Sequence, residues 1–240
     1  MEWRVHSMVT DMLWYKGWLE TRIKLLMAFV WMAWFLGAEY SRGLKAPAGL
    51  TGLAVAATFI AAAIPVFFAG AGINTQPAFQ AMKGLHGSTL FTLSLPVSRF
   101  RLLMTRAGLG WLVLAGTIGT MCCGMWILFP FLRAATTAVE MLEYAGALVA
   151  CASGFYSIGV LLATFLDEVW RLYGSGIAIG ALWLLFNKTS VPGSFNIFRA
   201  MGEGSPLIAH TMPWTAIGLS LGLAAILFFA ALKVVQTREY

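Results

Sequence analysis

Long runs of uncharged, apolar residues recur along this chain, and short clusters of charge separate them. A charged side chain at a bilayer centre costs about 2.5–3.5 kcal/mol on insertion scales. A helix needs about 20 apolar residues to cross the hydrocarbon core. Six windows fit: from Lys24 to Glu39, Leu50 to Ile73, Ala107 to Leu132, Tyr144 to Leu166, Leu172 to Phe186, and Met212 to Leu232. The first and fifth are short, although Ile23 lengthens the first and Lys24 can snorkel. Ahead of them, Asp11 to Lys24 carries Trp14 and Trp18 on one stripe and Lys16, Glu20 and Lys24 on a roughly opposite one, with Asp11 and Arg22 near the Trp side. That pattern predicts an interfacial helix within residues 1–24, the alternative being a plain cytoplasmic lead-in to the first span. The expected fold class is all-α: a single-domain polytopic membrane protein with six transmembrane helices and an N-terminal amphipathic interfacial helix.

Composition removes the competing classes. Of the 240 residues, 60% are hydrophobic and only 11% charged, against about 25% charged in a soluble domain. A water-soluble enzyme, a nucleic-acid binder and a disordered scaffold are all excluded on that ground. The net charge of +6 belongs to basic loops rather than to a nucleic-acid partner. The three cysteines, Cys122, Cys123 and Cys151, lie in apolar runs without C-x-x-C spacing and read as small core residues. The first 24 residues interleave charges with Trp and Met, a pattern that predicts no cleavable signal peptide.

The basic residues set the expected orientation. With both termini cytoplasmic, 11 lie inside (Arg4, Lys16, Arg22, Lys24, Lys83, Arg99, Arg101, Arg106, Arg171, Lys233 and Arg238) and 5 outside (Arg42, Lys45, Arg133, Lys188 and Arg199). This asymmetry favours cytoplasmic ends, which an even number of spans requires to share one side. The expected location is a plasma membrane or bacterial inner membrane.

Catalytic signatures are missing. The chain has no Gly-x-x-x-x-Gly-Lys-Ser/Thr loop to cradle phosphates and no His-Glu-x-x-His zinc motif. His6, His86 and His210 fall far apart and on both sides of the expected membrane. Glu140 and Glu143 share a helix face at i,i+3 but have no histidine nearby in sequence, so a solvated helix end is the reading preferred over a catalytic pair. No ionisable group occupies the middle of a window, which argues against a proton-driven carrier. No cofactor is expected. Gly176-Ile-Ala-Ile-Gly180 and Gly218-Leu-Ser-Leu-Gly222 are spaced for close helix packing, with dimerisation the minority reading. Pro65, in mid-window, predicts a kink or a tolerated loosening of the second span.

The stretch from Asn74 to Arg106 has four basic residues and no acid. It is too polar to span, yet Leu85, Leu90, Phe91, Leu93 and Leu95 make it too apolar for a linker. A short amphipathic element at the cytoplasmic face fits, broken by Pro96, with Ser98 as N-cap of the third span. A turn anchored to anionic lipid by Arg99, Arg101 and Arg106 is the plainer alternative.

Leu93-Ser94-Leu95-Pro96-Val97-Ser98-Arg99, followed by Leu102 and Arg106, resembles the Leu-Pro-Val-Ser-Arg signature of type 2 ATP-binding-cassette (ABC) exporter permeases. The layout of an amphipathic N-terminal helix, six spans and an irregular external stretch at residues 187–210 is similar too. The specific part is about a dozen residues. The resemblance implies that residues 74–106 form a cytoplasmic coupling segment docking on a separate ATPase subunit, through Lys83, Leu85, Leu90, Phe91, Leu95, Pro96, Ser98 and Arg99. It implies a non-enzymatic permease that pairs with a second copy or a homologous permease, amid lipid, with accessory subunits an open matter. It also implies that residues 187–210 form short helices or a re-entrant cap at the outer leaflet. The chain departs from the family in having no acidic residue near that coupling segment. A membrane anchor or regulatory subunit, and an intramembrane enzyme built on Glu140, Glu143 or His210, are the rivals.

Overall fold

A computed structural model describes residues 2–41, 48–69, 98–166, 168–189 and 192–237. Among them every regular element is helical: α1 (Glu2–Ser41), α2 (Ala48–Phe68), α3 (Arg99–Leu128), α4 (Pro130–Ala135), α5 (Ala138–Ala163), α6 (Glu168–Lys188), a 3-10 turn (Gly193–Phe195), α7 (Ile197–Met201), α8 (Pro206–Ala209) and α9 (Trp214–Thr237). Six helices are long and apolar enough to cross a membrane: Gly17–Ser41 within α1, then Gly49–Phe68, Phe100–Leu128, Ala138–Ala163, Val169–Lys188 and Trp214–Thr237. The chain is a multi-pass membrane protein of the all-α class.

The helix ends differ from the expected windows for local reasons. Residues 2–41 form one unbroken helix, so the Trp14/Trp18 stretch continues directly into the first span. At 40 residues it is about 60 Å long, twice what the hydrocarbon core needs. α2 ends at Phe68 rather than Ile73, which moves Pro65 from mid-span to the last turn. A proline there forfeits one intrahelical bond close to a terminus already short of partners. α3 starts eight residues before the expected Ala107 and stops at Leu128 instead of Leu132. Ser98 opens it: its backbone is extended and its Oγ accepts from the Arg101 amide at 3.3 Å. Pro130 closes it, because the residue before a proline is driven out of the helical region, and Phe129 is extended at φ −105°. Arg101 and Arg106 therefore ride on the first two turns of a helix rather than in a loop, and Arg106 is buried.

α5 forms the centre of the bundle. It packs against α9, α3, α2 and α6, and against the short α7 and α8, and 67% of its apolar window is buried, against 11% for α6. Its small residues permit this: Ala147, Cys151, Ala152, Ser153, Gly154, Ser157 and Gly159 are all buried. At Gly154 the α9 helix comes so near that an added Cβ would lie 2.6 Å from Ser220 Oγ. Ser220 Oγ accepts from the Gly154 amide at 3.2 Å and donates to the Cys151 carbonyl at 2.7 Å. Gly159 meets Ala69 beyond the end of α2 in the same manner.

The two predicted glycine pairs do not do this. Among the described residues nothing lies within 4 Å of a Cβ position at Gly176, Gly180, Gly218 or Gly222, so these stand on faces that the described helices leave uncovered. Cys123 is likewise exposed, in correction of its expected core role, while Cys122 and Cys151 are buried. Adjacent helix positions point about 100° apart, and α3 is covered on part of its circumference only, so Cys123 turns outward beside a buried Cys122.

Candidate functional site

A groove between two of the spans is the most distinctive feature of the bundle. Along α2, Phe59, Ala62, Ala63, Val66 and Phe67 line one side of a groove of about 510 Å³. Gly176, Ile179, Gly180 and Trp183 of α6 line the other, and Phe198 of α7 closes one end. The width comes from composition, since two alanines face two glycines and leave the middle unfilled. Among the described residues no charged one lines it. Such a space suits an apolar chain or ring and offers no handle for a hydrophilic one.

The Phe198 end belongs to residues 192–210. Asn196 caps α7, its Oδ1 accepting from the Arg199 amide at 3.1 Å. Ile197, Phe198, Met201 and Leu207 are buried and Ile208 is half-buried. Phe198 stacks on Phe155 of α5 at 5.1 Å between ring centres and meets Phe186 of α6 at 6.4 Å. Thr215 donates to the Ser194 carbonyl at 2.6 Å, tying the 3-10 turn to the start of α9. The segment is thus folded onto the bundle as short helices.

At the opposite end of the groove stands a residue that sequence reasoning had placed in a loop. Arg171, in the first turn of α6, is completely buried. Its Nη1 donates to the Val66 carbonyl at 2.6 Å, across 105 positions. Val66 lies in the final turn of α2, where carbonyls lack intrahelical donors and carry the negative end of the helix dipole. Beside it, Tyr156 of α5 is buried and donates to the Ala107 carbonyl of α3 at 2.8 Å. No periodicity or motif singles out Arg171. A basic residue beside a span is the ordinary signature of a cytoplasmic loop, and its burial depends on α2 arriving from elsewhere.

Of the residues expected to engage an ATPase, Lys83, Leu85, Leu90, Phe91, Leu95 and Pro96 lie outside the described residues. Ser98 is the α3 cap, and Arg99 is the first residue of that helix. Glu140, which has no histidine near it in sequence, is adjacent to His210 in the fold: His210 Nδ1 lies 3.0 Å from Glu140 Oε1. Glu140 already belongs to a capping box, in which Thr137 Oγ1 accepts the Glu140 amide at 3.2 Å and the Thr137 amide donates to Oε2 at 2.7 Å. His210 takes a left-handed conformation at φ 51°, the only such non-glycine residue among those described. The pair is partly solvated, with Glu143 exposed nearby. It fastens the end of α8 to the start of α5, a structural duty that both residues fill without a third catalytic group.

Comparison with family models, with curated proteins and with solved structures returned no match.

Proposed function

We propose that the chain is the transmembrane permease subunit of an ABC exporter, working as a dimer and driven by a separate ATPase subunit. The observation that carries the reading is the Leu93–Arg99 signature, whose Ser98 caps the helix of the third span. The signature thus leads directly into the first turn of α3, as a segment that passes force to that span would need. The six spans and the groove between α2 and α6 support it further. The uncovered Gly176 and Gly180 beside that groove leave backbone open for a second copy. Both ends and the 74–106 segment are cytoplasmic in this reading, and the pathway carries apolar or amphipathic cargo. No residue of this chain breaks a covalent bond; ATP is hydrolysed by the partner.

The test is purification from native membrane, with identification of associated chains and assay of ATP hydrolysis in lipid. Replacing Leu90 and Phe91 together by Asp buries unpaired charge at the proposed interface and is expected to abolish co-elution of the ATPase while membrane insertion stays normal. Wild-type co-elution and turnover in that double variant would remove the main support for a permease and leave an anchoring subunit. Hydrolysis by a preparation free of other chains would refute the proposal outright.

A further inference from the structure

The end of the bundle where α5 and α9 begin holds a second cavity, of about 620 Å³, which shares no lining residue with the apolar groove. Its walls come from the 192–210 segment and from the residues that lead into α9. Among the described residues Arg199 is the one charged side chain that lines it. Glu203, the only acid in that segment, is exposed and lies outside the lining. No carboxylate among the described residues pairs with the guanidinium. Its charge is open to whatever enters.

The backbone holds Arg199 from both sides. Its amide donates to Asn196 Oδ1 at 3.1 Å, and its carbonyl accepts from the amides of Gly202 at 3.1 Å and Gly204 at 2.7 Å. The side chain lies across Gly193, where an added Cβ would collide with Nη1 and come within 3.2 Å of Cζ. Any larger residue at that position would drive the guanidinium from its place. The facing wall is fixed as well. His210, between the lining residues Ala209 and Thr211, takes its left-handed turn and meets Glu140 of α5 at 3.0 Å. A cation mounted on a backbone fixed in this way loses little freedom on binding.

The surrounding groups suit an anion with an apolar body. Ser194 and Thr211 supply hydroxyls that no described residue engages, and α9 begins in the wall, with the positive end of its dipole there. Met212, Pro213 and Trp214 form the apolar side. Trp214 is 69% exposed at the first position of the last span, and indole rings at span ends sit at headgroup depth. A guanidinium fork matches phosphate oxygens two at a time. We propose that this cavity binds a phosphate-bearing anion at the membrane surface, held by Arg199, with any apolar remainder against Trp214. The site depends neither on the permease reading nor on the orientation of the chain. Its phosphate has two sources, an acidic phospholipid or the solution.

The experiment uses the full chain. Native mass spectrometry in detergent counts adducts of phosphatidylglycerol against those of phosphatidylcholine with the same acyl chains, whose phosphate is balanced by choline. Melting in phosphatidylcholine nanodiscs is followed with and without inorganic phosphate. A headgroup site gives a preference for phosphatidylglycerol; a site for soluble phosphate gives a raised melting temperature with phosphate and no lipid preference. For either source, Arg199→Gln is expected to weaken binding about tenfold, the worth of a charge-assisted hydrogen bond. Arg199 is exposed, so this change leaves the core untouched, and Arg199→Lys should fall between. Gly193→Ala keeps every charge but denies the guanidinium its place, and it should weaken binding too. Arg133→Gln removes an exposed arginine from α4, which leads into α5, and should bind as the wild type does. The comparison of Arg199→Gln with Arg133→Gln suffices if Gly193→Ala does not fold. A wild type with neither lipid preference nor stabilisation by phosphate would overturn the site. Equal losses in Arg199→Gln and Arg133→Gln, or undiminished binding in a folded Gly193→Ala, would overturn it too, since attraction by surface charge alone explains both.

Discussion

The contact between α5 and α9 can be tested most sharply at Gly154. A methyl group placed there would lie 2.6 Å from Ser220 Oγ and 3.2 Å from the Ser220 carbonyl oxygen. The hydroxyl cannot rotate aside without cost, because it is held by the Gly154 amide and the Cys151 carbonyl. Overpacking a tight interior costs about 1–3 kcal/mol, and each hydrogen bond lost adds about 0.5–1.5 kcal/mol. Against this, Gly to Ala inside a helix returns about 1 kcal/mol of propensity. Gly154→Ala should therefore destabilise by about 1–5 kcal/mol, the overpacking and the two lost bonds together outweighing propensity. Ser220→Ala removes the colliding atom along with both bonds, at a cost of about 1–2 kcal/mol. In the double variant the collision with Oγ is gone, so the two effects must not add: a favourable coupling of about 1–2 kcal/mol is expected, typical of touching residues. Denaturant unfolding in mixed micelles, followed by tryptophan fluorescence, gives all four corners of the cycle. Strict additivity would mean that α9 does not approach α5 at Gly154, and the packing around the central helix would have to be redrawn.

Two further expectations are simpler to check. Thr137→Ala removes the α5 cap and should cost about 1 kcal/mol, whereas His210→Ala, which breaks a partly solvated pair, should cost less; the same unfolding assay ranks them, and the reverse order would refute the capping argument. A membrane-permeant maleimide should label Cys123 in the folded protein while Cys122 and Cys151 react only after unfolding, as mass spectrometry of the labelled peptides would show.

The helix starts show what is readable from neighbouring residues alone. Ser98 and the Thr137–Glu140 box follow from hydrogen bonds between residues three apart, and such bonds need nothing from the rest of the fold. Pro130 drives the residue before it out of the helical region, so the end of α3 was legible too, although the apolar window ran on to Leu132 and concealed it. Hydropathy located the six spans but could not tell Gly154, which α9 presses against, from Gly176, which no described residue covers. In a water-soluble helix a polar face would have separated them. Here the solvent-facing side is apolar as well, because lipid replaces water, and the contrast between faces vanishes.

Membrane residence, helical class and the number of spans were thus matters of composition and one-dimensional spacing, since the cost of charge in hydrocarbon acts on each window separately. Which helix lies at the centre, where α2 and α6 part to leave a groove, and which arginine joins them were not. The Arg171–Val66 bond spans 105 positions and the Glu140–His210 contact spans 70. Neither has a local cause. Each exists because packing around the small residues of α5 brings distant helix ends to the same place, and a polar group buried there must find its partner among whatever has arrived.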